Sequence, residues 1–230
     1  MLKVGHRGAM GYAPENTMAS FAKALELDVD VIELDVHLCK SGEAVVIHDQ
    51  RLDRTTNGKG LVSAKTLREL KSLDAGKGQT IPTLREVIEG VNKRAVIDIE
   101  LKAEGTAGEV AKILQEYIQD RGWEADRFML SSFDHHELMR CHALLPRVPF
   151  GPIFAAKFLD YARFAREMQA HLIKPFFEFL DEAFVRDAHN RGLKVITWTV
   201  NLPEDMRKMA GLGVDGMVSN YPDRICGTAQ

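Results

Sequence analysis

Two rhythms alternate along this chain. Short apolar runs are separated by stretches in which apolar residues return every three or four positions. The "LKV" before Gly5 reads as a strand, and so do residues 29–36, 44–49, 94–102, 128–133, 148–154, 171–174, 193–200 and 214–219. Met18, Phe21, Ala22 and Leu25 fall at i, i+3, i+4 and i+7, which predicts an amphipathic helix over residues 17–28. Thr83 and Glu86 form a capping-box pattern ahead of Leu84, Val87, Ile88 and Val91 on one helical face. Val110, Ile113, Leu114, Tyr117 and Ile118 make another such face, closed by Gly122. Residues 180–191 and 203–211 predict two more helices, each ending near a glycine.

Repeated βα units imply a parallel sheet with helices outside it. Both an open doubly wound sheet and a closed (β/α)8 barrel satisfy this pattern. A barrel needs eight strands, and nine segments qualify. Either one of 148–154 and 171–174 is irregular, or "SGE" at 41–43 turns a local hairpin between 29–36 and 44–49. The second option follows because so short a connection cannot hold a crossover helix. Residues 53–60, "DRTTNGKG", read as a surface loop. No linker, low-complexity tract or fixed repeat divides the chain, so a single domain over 1–230 is expected.

Composition narrows the function classes. The 230 residues are 45% hydrophobic and 27% charged, with net charge -3 and pI about 6.3, and so lack the basic surplus usual in a nucleic-acid binder. No apolar run approaches the ~18 residues of a membrane span. "MLKVGHRG" holds no apolar stretch of signal-peptide length, so a cytoplasmic location is expected. The scattered Cys39, Cys141 and Cys226 fit reduced thiols in packing or surface positions.

The chemistry shows in which strands end in charge. Glu33 and Asp35 are two apart, so strand periodicity puts them on one face with Val31, while Ile32 and Leu34 take the other. Two like charges ~4 Å apart repel by about 4 kcal/mol at an effective dielectric of ~20. Such a pair is expected to bind a cation or share a proton. Asp98, Glu100 and Lys102 share a face by the same argument, His48 and Asp49 end the run at 44–49, and His6 and Arg7 follow the first strand. In a parallel barrel or sheet those ends meet at one rim, where sites are found. Each feature alone has an ordinary explanation: a surface histidine, an edge strand, a salt-bridged strand, and for "PENT" a turn with Asn16 or Thr17 as helix cap. Four successive strands ending in unrelated charge is a poorer explanation than one site.

The chain resembles the glycerophosphodiester phosphodiesterases. The resemblance rests on "HRG…PENT" (6–17), "IELDVHL" (32–38), "SGEAVVIHD" (41–49), "LDRTTNGKG" (52–60), "IPTL" (81–84), "IELK" (99–102), "SSF" (131–133), "WTVN" (198–201) and "GVDGMVSNYP" (213–222), in order over nearly the whole chain. It implies a TIM barrel of the phosphodiesterase type, with parallel strands and outer helices, and a divalent cation. Glu33, Asp35 and Glu100 match the family's metal carboxylates, His6 and His48 its acid/base pair, and Arg7 and Lys102 its phosphate-binding cations. The implied reaction takes a glycerophosphodiester and water to glycerol 3-phosphate and an alcohol. The chain departs from the family at "VSN" (218–220), where "ITD" is more usual, and at Asp98, an acid that reads as a deeper structural partner.

On this resemblance Arg7 offers a planar fork to phosphate oxygens. Gly8 and Gly11 let its loop turn close to the substrate. Glu15 either orients Arg7, approaches the metal or is a first-turn acid, while Asn16 ends the loop. Trp198 lines the pocket or fills the barrel. Oxygen ligands suit Mg²⁺ or Ca²⁺. Two rival functions are carried alongside. One is cleavage of lysophospholipids, for which apolar "PFFEFL" (175–180) offers a groove. The other is a nonenzymatic phosphodiester-binding protein, which would not need two proton carriers. The expected partner is a small-molecule diester, with no nucleic acid; a homo-oligomer is compatible, and which histidine is acid and which base is left open.

Overall fold

In the computed structural model, which describes residues 1–228, nine strands and eight α-helices follow one another along the chain. The strands are β1 (Leu2–Gly5), β2 (Val31–Leu38), β3 (Ala44–Val46), β4 (Val96–Leu101), β5 (Phe128–Ser132), β6 (Phe150–Phe154), β7 (Leu172–Pro175), β8 (Lys194–Thr197) and β9 (Gly216–Ser219). The helices are α1 (Met18–Glu26), α2 (Leu67–Lys71), α3 (Leu84–Val91), α4 (Thr106–Asp120), α5 (His135–Leu144), α6 (Arg163–Glu167), α7 (Glu182–Asn190) and α8 (Pro203–Leu212).

Strand β1 settles barrel against open sheet. It pairs in parallel with both β2 and β9, with Val4 opposite Val31 on one side and Val218 on the other. The remaining neighbours run β9-β8-β7-β6-β5-β4-β2, so eight parallel strands form a closed ring. The ninth, β3, runs antiparallel to β2. The hairpin across 41–43 is therefore the correct resolution of the surplus segment, and both 148–154 and 171–174 contain regular strands. The predicted helix over 17–28 is α1, capped by the Thr17 side chain, which accepts from Ser20 N; Asn16 is not the cap. Thr83 and Glu86 make the expected reciprocal cap of α3.

Periodicity of two sorts the strand residues into two cores. Ile32, Leu34, Ile97, Ile99, Phe128 and Leu130 point outward and pack beneath the helices. Val4, Val31, Met129, Leu172, Ile196 and Val218 point inward and fill the barrel's lower half. Above that apolar plug the inward residues turn polar, and Glu33, Asp35, Asp98, Glu100, Ser131 and Lys174 are all buried. A third, smaller cluster, including Val45, Ile47, Leu52, Val62, Leu70 and Ile81, anchors the excursion between β3 and α3 to the same rim. Cys39 and Cys141 are buried and unpaired. The side chain of Cys226 lies outside the described residues.

Candidate active site

The polar layer opens at the C-terminal ends of the strands into a cavity of about 90 Å³. It is lined by His6, Arg7, Glu33, His48, Glu100, Lys102, Phe133, Ile153, Lys174, Trp198, Thr199 and Val218. A larger concavity, about 980 Å³, opens at the opposite mouth of the barrel. Its floor is apolar, and its Asp28, Arg94, Arg127, Arg166 and Lys194 are exposed rim groups. The buried charge is confined to the smaller one.

Register explains the convergence of acids. Glu33 is paired with Asp98 and Asp35 with Glu100 across adjacent strands. One oxygen each from Glu33, Asp35 and Glu100 lie within 4.8 Å of one another, and all three residues are buried. Burial and the neighbouring Asp35 carboxylate push Glu33 well above the usual carboxylate range, and the same two causes raise Glu100. Burial would raise Asp35 too, but Arg7 and Lys102 outweigh it and hold it low. Asn16 Nδ2 donates to Asp35 Oδ2 at 2.8 Å, whereas the buried Oδ1 has no hydrogen-bond partner. A buried carboxylate oxygen without a hydrogen bond, within a cluster of three acids, is what an oxygen-liganded cation site presents.

Arg7 is bound into this cluster by backbone and side chain. Its N–H donates to Glu33 Oε2 at 2.8 Å, Nη1 to Glu15 Oε1 at 2.7 Å, and Nε lies 3.3 Å from Asp35 Oδ2. Its φ of 50° and that of Gly8, 86°, turn the β1–α1 loop back over the barrel. A Cβ on Gly8 would meet Ser20 Oγ at 2.5 Å, so glycine there lets the loop lie against α1. Lys102, just past β4, donates to Glu100 Oε1 at 2.6 Å and stands 3.6 Å from Asp35 Oδ1. Both cations stay charged, because these carboxylates offset the cost of burial.

The two histidines stand on different strand ends and differ in surroundings. His6 Nδ1–H donates to Asn220 Oδ1 at 2.6 Å, leaving Nε2 available to the cavity. Burial first, and Arg7 second, lower its pKa to about 4, so it is neutral at pH 7. His48 Nδ1–H donates to Asp49 Oδ1 at 2.6 Å, and its Nε2 lies 3.2 Å from Lys102 Nζ.

All ten residues singled out from the sequence thus gather at one rim. Eight of them line the cavity or supply its three-carboxylate cluster, while Glu15 and Asn16 stand behind Arg7 and Asp35. Trp198 forms one wall; its Nε1 donates to Lys174 O at 2.8 Å and its ring meets Phe133 and Phe176. Asp98 is the deeper partner expected: it accepts from Lys174 Nζ at 2.5 Å and from Ser131 Oγ at 2.8 Å. Sequence reasoning missed Lys174, although its lysine ends a predicted strand and the strand-end criterion would have found it. It also missed His37, whose Nε2–H donates to His48 O at 3.0 Å and which period two continues from Asp35. Asn220 gained no role from the sequence, since its partner is 214 residues away.

A family model described as glycerophosphoryl diester phosphodiesterase matches residues 6–224. A glycerophosphodiester phosphodiesterase of Caldanaerobacter subterraneus is 37% identical, over 97% of this chain and 96% of its own. One from Bacillus subtilis is 33% identical, over 97% and 84%. Among solved structures, an Oleispira antarctica phosphodiesterase in complex with the product sn-glycerol-3-phosphate superposes with a TM-score of 0.90 at 33% identity, over 98% and 95% of the chains. A Thermotoga maritima glycerophosphodiester phosphodiesterase gives 0.82 at 26%, over 100% and 99%.

Proposed function

We propose a residue-level reading from one premise: this chain belongs to the glycerophosphoryl diester phosphodiesterase family. It is a phosphoric diester hydrolase that converts a glycerophosphodiester and water to glycerol 3-phosphate and an alcohol. The reading of its site is carried by one observation: two histidines, three cations (Arg7, Lys102 and Lys174) and three carboxylates meet at a cavity of about 90 Å³.

Glu33, Asp35 and Glu100 would hold a divalent cation, Mg²⁺ or Ca²⁺ by the all-oxygen donor set, which when bound would neutralise phosphate charge as a Lewis acid. Arg7 and Lys102 bind the phosphodiester oxygens and stabilise the charge that grows on them. Glu15 and Asn16 hold Arg7 and Asp35 in place. His6, neutral at pH 7, accepts the proton of the nucleophile, with Asn220 fixing its tautomer. His48, its Nδ1–H held by Asp49, is the second proton carrier: once it has taken up a proton at Nε2, it delivers that proton to the leaving oxygen. Trp198 packs against the non-phosphate part of the substrate. At about 90 Å³ the cavity suits the phosphate end of the diester, and the Phe133 and Trp198 wall is the apolar surface offered to the second group.

Incubating the protein with glycerophosphocholine and Mg²⁺ should release glycerol 3-phosphate. His6→Ala and His48→Ala should each lose ~10²-fold or more in kcat with the fold intact by circular dichroism. No product from any headgroup diester would sink the reading. A second reading, cleavage of lysophospholipids, is favoured by the exposed Phe133 and Phe179 beside Trp198 and Phe176. Choline released from lysophosphatidylcholine at a rate comparable to that from glycerophosphocholine would establish it. We also read the chain as one domain, supported by the uninterrupted match over 6–224. The buried, unpaired Cys39 and Cys141 support a cytoplasmic, reducing location.

A further inference from the structure

Arg54 belongs to the loop that follows β3, outside the cavity, with its side chain 48% exposed. One guanidinium nevertheless makes four hydrogen bonds to two carboxylates. Nε and Nη2 donate to Asp49 Oδ2 and Oδ1 at 2.7 and 2.9 Å. Nη1 and Nη2 donate to Glu15 Oε2 and Oε1 at 2.7 and 2.8 Å. Each carboxylate reaches onward to a residue of the cavity: Asp49 Oδ1 accepts from His48 Nδ1 at 2.6 Å, and Glu15 Oε1 accepts from Arg7 Nη1 at 2.7 Å.

We propose that Arg54 is a positioning residue that clamps Asp49 and Glu15 together and so locks His48 and Arg7 in one relative orientation. The proposal rests on the roles read for His48 and Arg7 above. Its physical basis is the fork: a planar guanidinium can hold two carboxylates in fixed planes, which an ammonium cannot. The clamp is itself held from behind. Leu52 is fully buried, Leu52 N–H donates to Gly60 O at 2.9 Å, and Asn57 N–H donates to Asp74 O at 3.0 Å. Hydrogen bonds from Arg54 are the largest cause holding Asp49 below the usual carboxylate range. For Glu15 they are the largest of the effects that outweigh its burial. Both anions therefore stay charged and face the clamp. Exposed ion pairs add little to stability, so orientation and folding separate experimentally.

The test is turnover of glycerophosphocholine by wild type, Arg54→Ala, Arg54→Lys and a control, Arg51→Ala, whose guanidinium pairs only with Asp53 among the described residues. Wild-type turnover is the first readout, since its absence removes the functional reading itself. Arg54→Ala should then lose roughly 10²-fold in kcat, as small misplacements of reacting groups do. Arg54→Lys should lose nearly as much, Arg51→Ala should match wild type, and thermal midpoints should stay within a few degrees. Free guanidinium ion should restore Arg54→Ala several-fold and leave wild type unchanged. Retention of more than half of wild-type kcat by Arg54→Ala overturns the proposal, as does a loss that guanidinium does not restore.

Discussion

Arg7 and Glu100 touch the same cluster, and the reading proposed above gives them opposite tasks. Glu100 offers a ligand oxygen beside Asp35, while Arg7 donates to Glu15 and stands against Asp35. Calorimetric titration should therefore find Mg²⁺ affinity weakened by at least about tenfold in Glu100→Gln, with kcat/KM partly restored by extra Mg²⁺. Arg7→Ala should keep near-normal Mg²⁺ affinity and lose substrate use that extra metal does not restore, and Arg7→Lys should fail almost as badly. Rescue of Arg7→Ala but not of Glu100→Gln by metal would show the two roles to be reversed. His6 supplies a pH prediction. Its pKa is lowered from 6.5 to about 4 in the folded protein. Between those values the unfolded chain binds a proton that the folded state refuses, so stability falls as pH drops through the window. The loss is at most about 3 kcal/mol, and less as far as water reaches the ring. Urea midpoints measured from pH 7 to pH 4 with chelator present should fall more steeply in wild type than in His6→Gln.

At the scale of elements, the site is a product of strand register. Asp98 on β4, Ser131 on β5 and Lys174 on β7 form one hydrogen-bonded group across the barrel's interior, beneath the three converging carboxylates. Lys174 keeps its charge because Asp98 and Glu33 outweigh its complete burial. Lys174→Met leaves Asp98 buried and unpaired, which should cost about 3–5 kcal/mol in denaturant unfolding. Adding Asp98→Asn should recover much of that loss, because the unpaired charge at position 98 is then removed as well. A Lys174→Met single variant as stable as wild type would mean that water, not Lys174, balances Asp98.

At the scale of the molecule, three acids on two strands of a closed ring resist separation, so a cation held between them would couple its binding to folding. A cation that binds only the folded state adds about 2.7 kcal/mol when present at ~100 times its Kd. For a chain of this length that corresponds to roughly 5–10 °C in Tm. Chelation should lower Tm by about that amount and abolish turnover, and Mg²⁺ or Ca²⁺ should restore both. Unchanged Tm and full turnover after exhaustive chelation, with no metal by elemental analysis, would overturn the carboxylate site.

The βα alternation, the capping box of α3, and the shared faces of Glu33 with Asp35 and of Asp98 with Glu100 were determined by the sequence alone. Each is local: a period of 3.6 or 2, or a cap three residues long, is complete within a few positions. Strand-end charge was legible for the same reason, and it pointed to His6, Arg7, His48 and Lys102, which line the cavity. Tertiary structure alone decided what depends on distant partners. Closure of the ring needed β1 to meet β9, and that pairing joins residues more than two hundred positions apart. The surplus strand became a hairpin arm because β2 already had a parallel neighbour on each side in the barrel. Lys174 opposite Asp98, Asn220 against His6 and Arg54 between Glu15 and Asp49 are contacts across strands or loops. No local period encodes such contacts, because the energy of a buried or clamped charge is set by which groups the fold brings within a few ångströms of it.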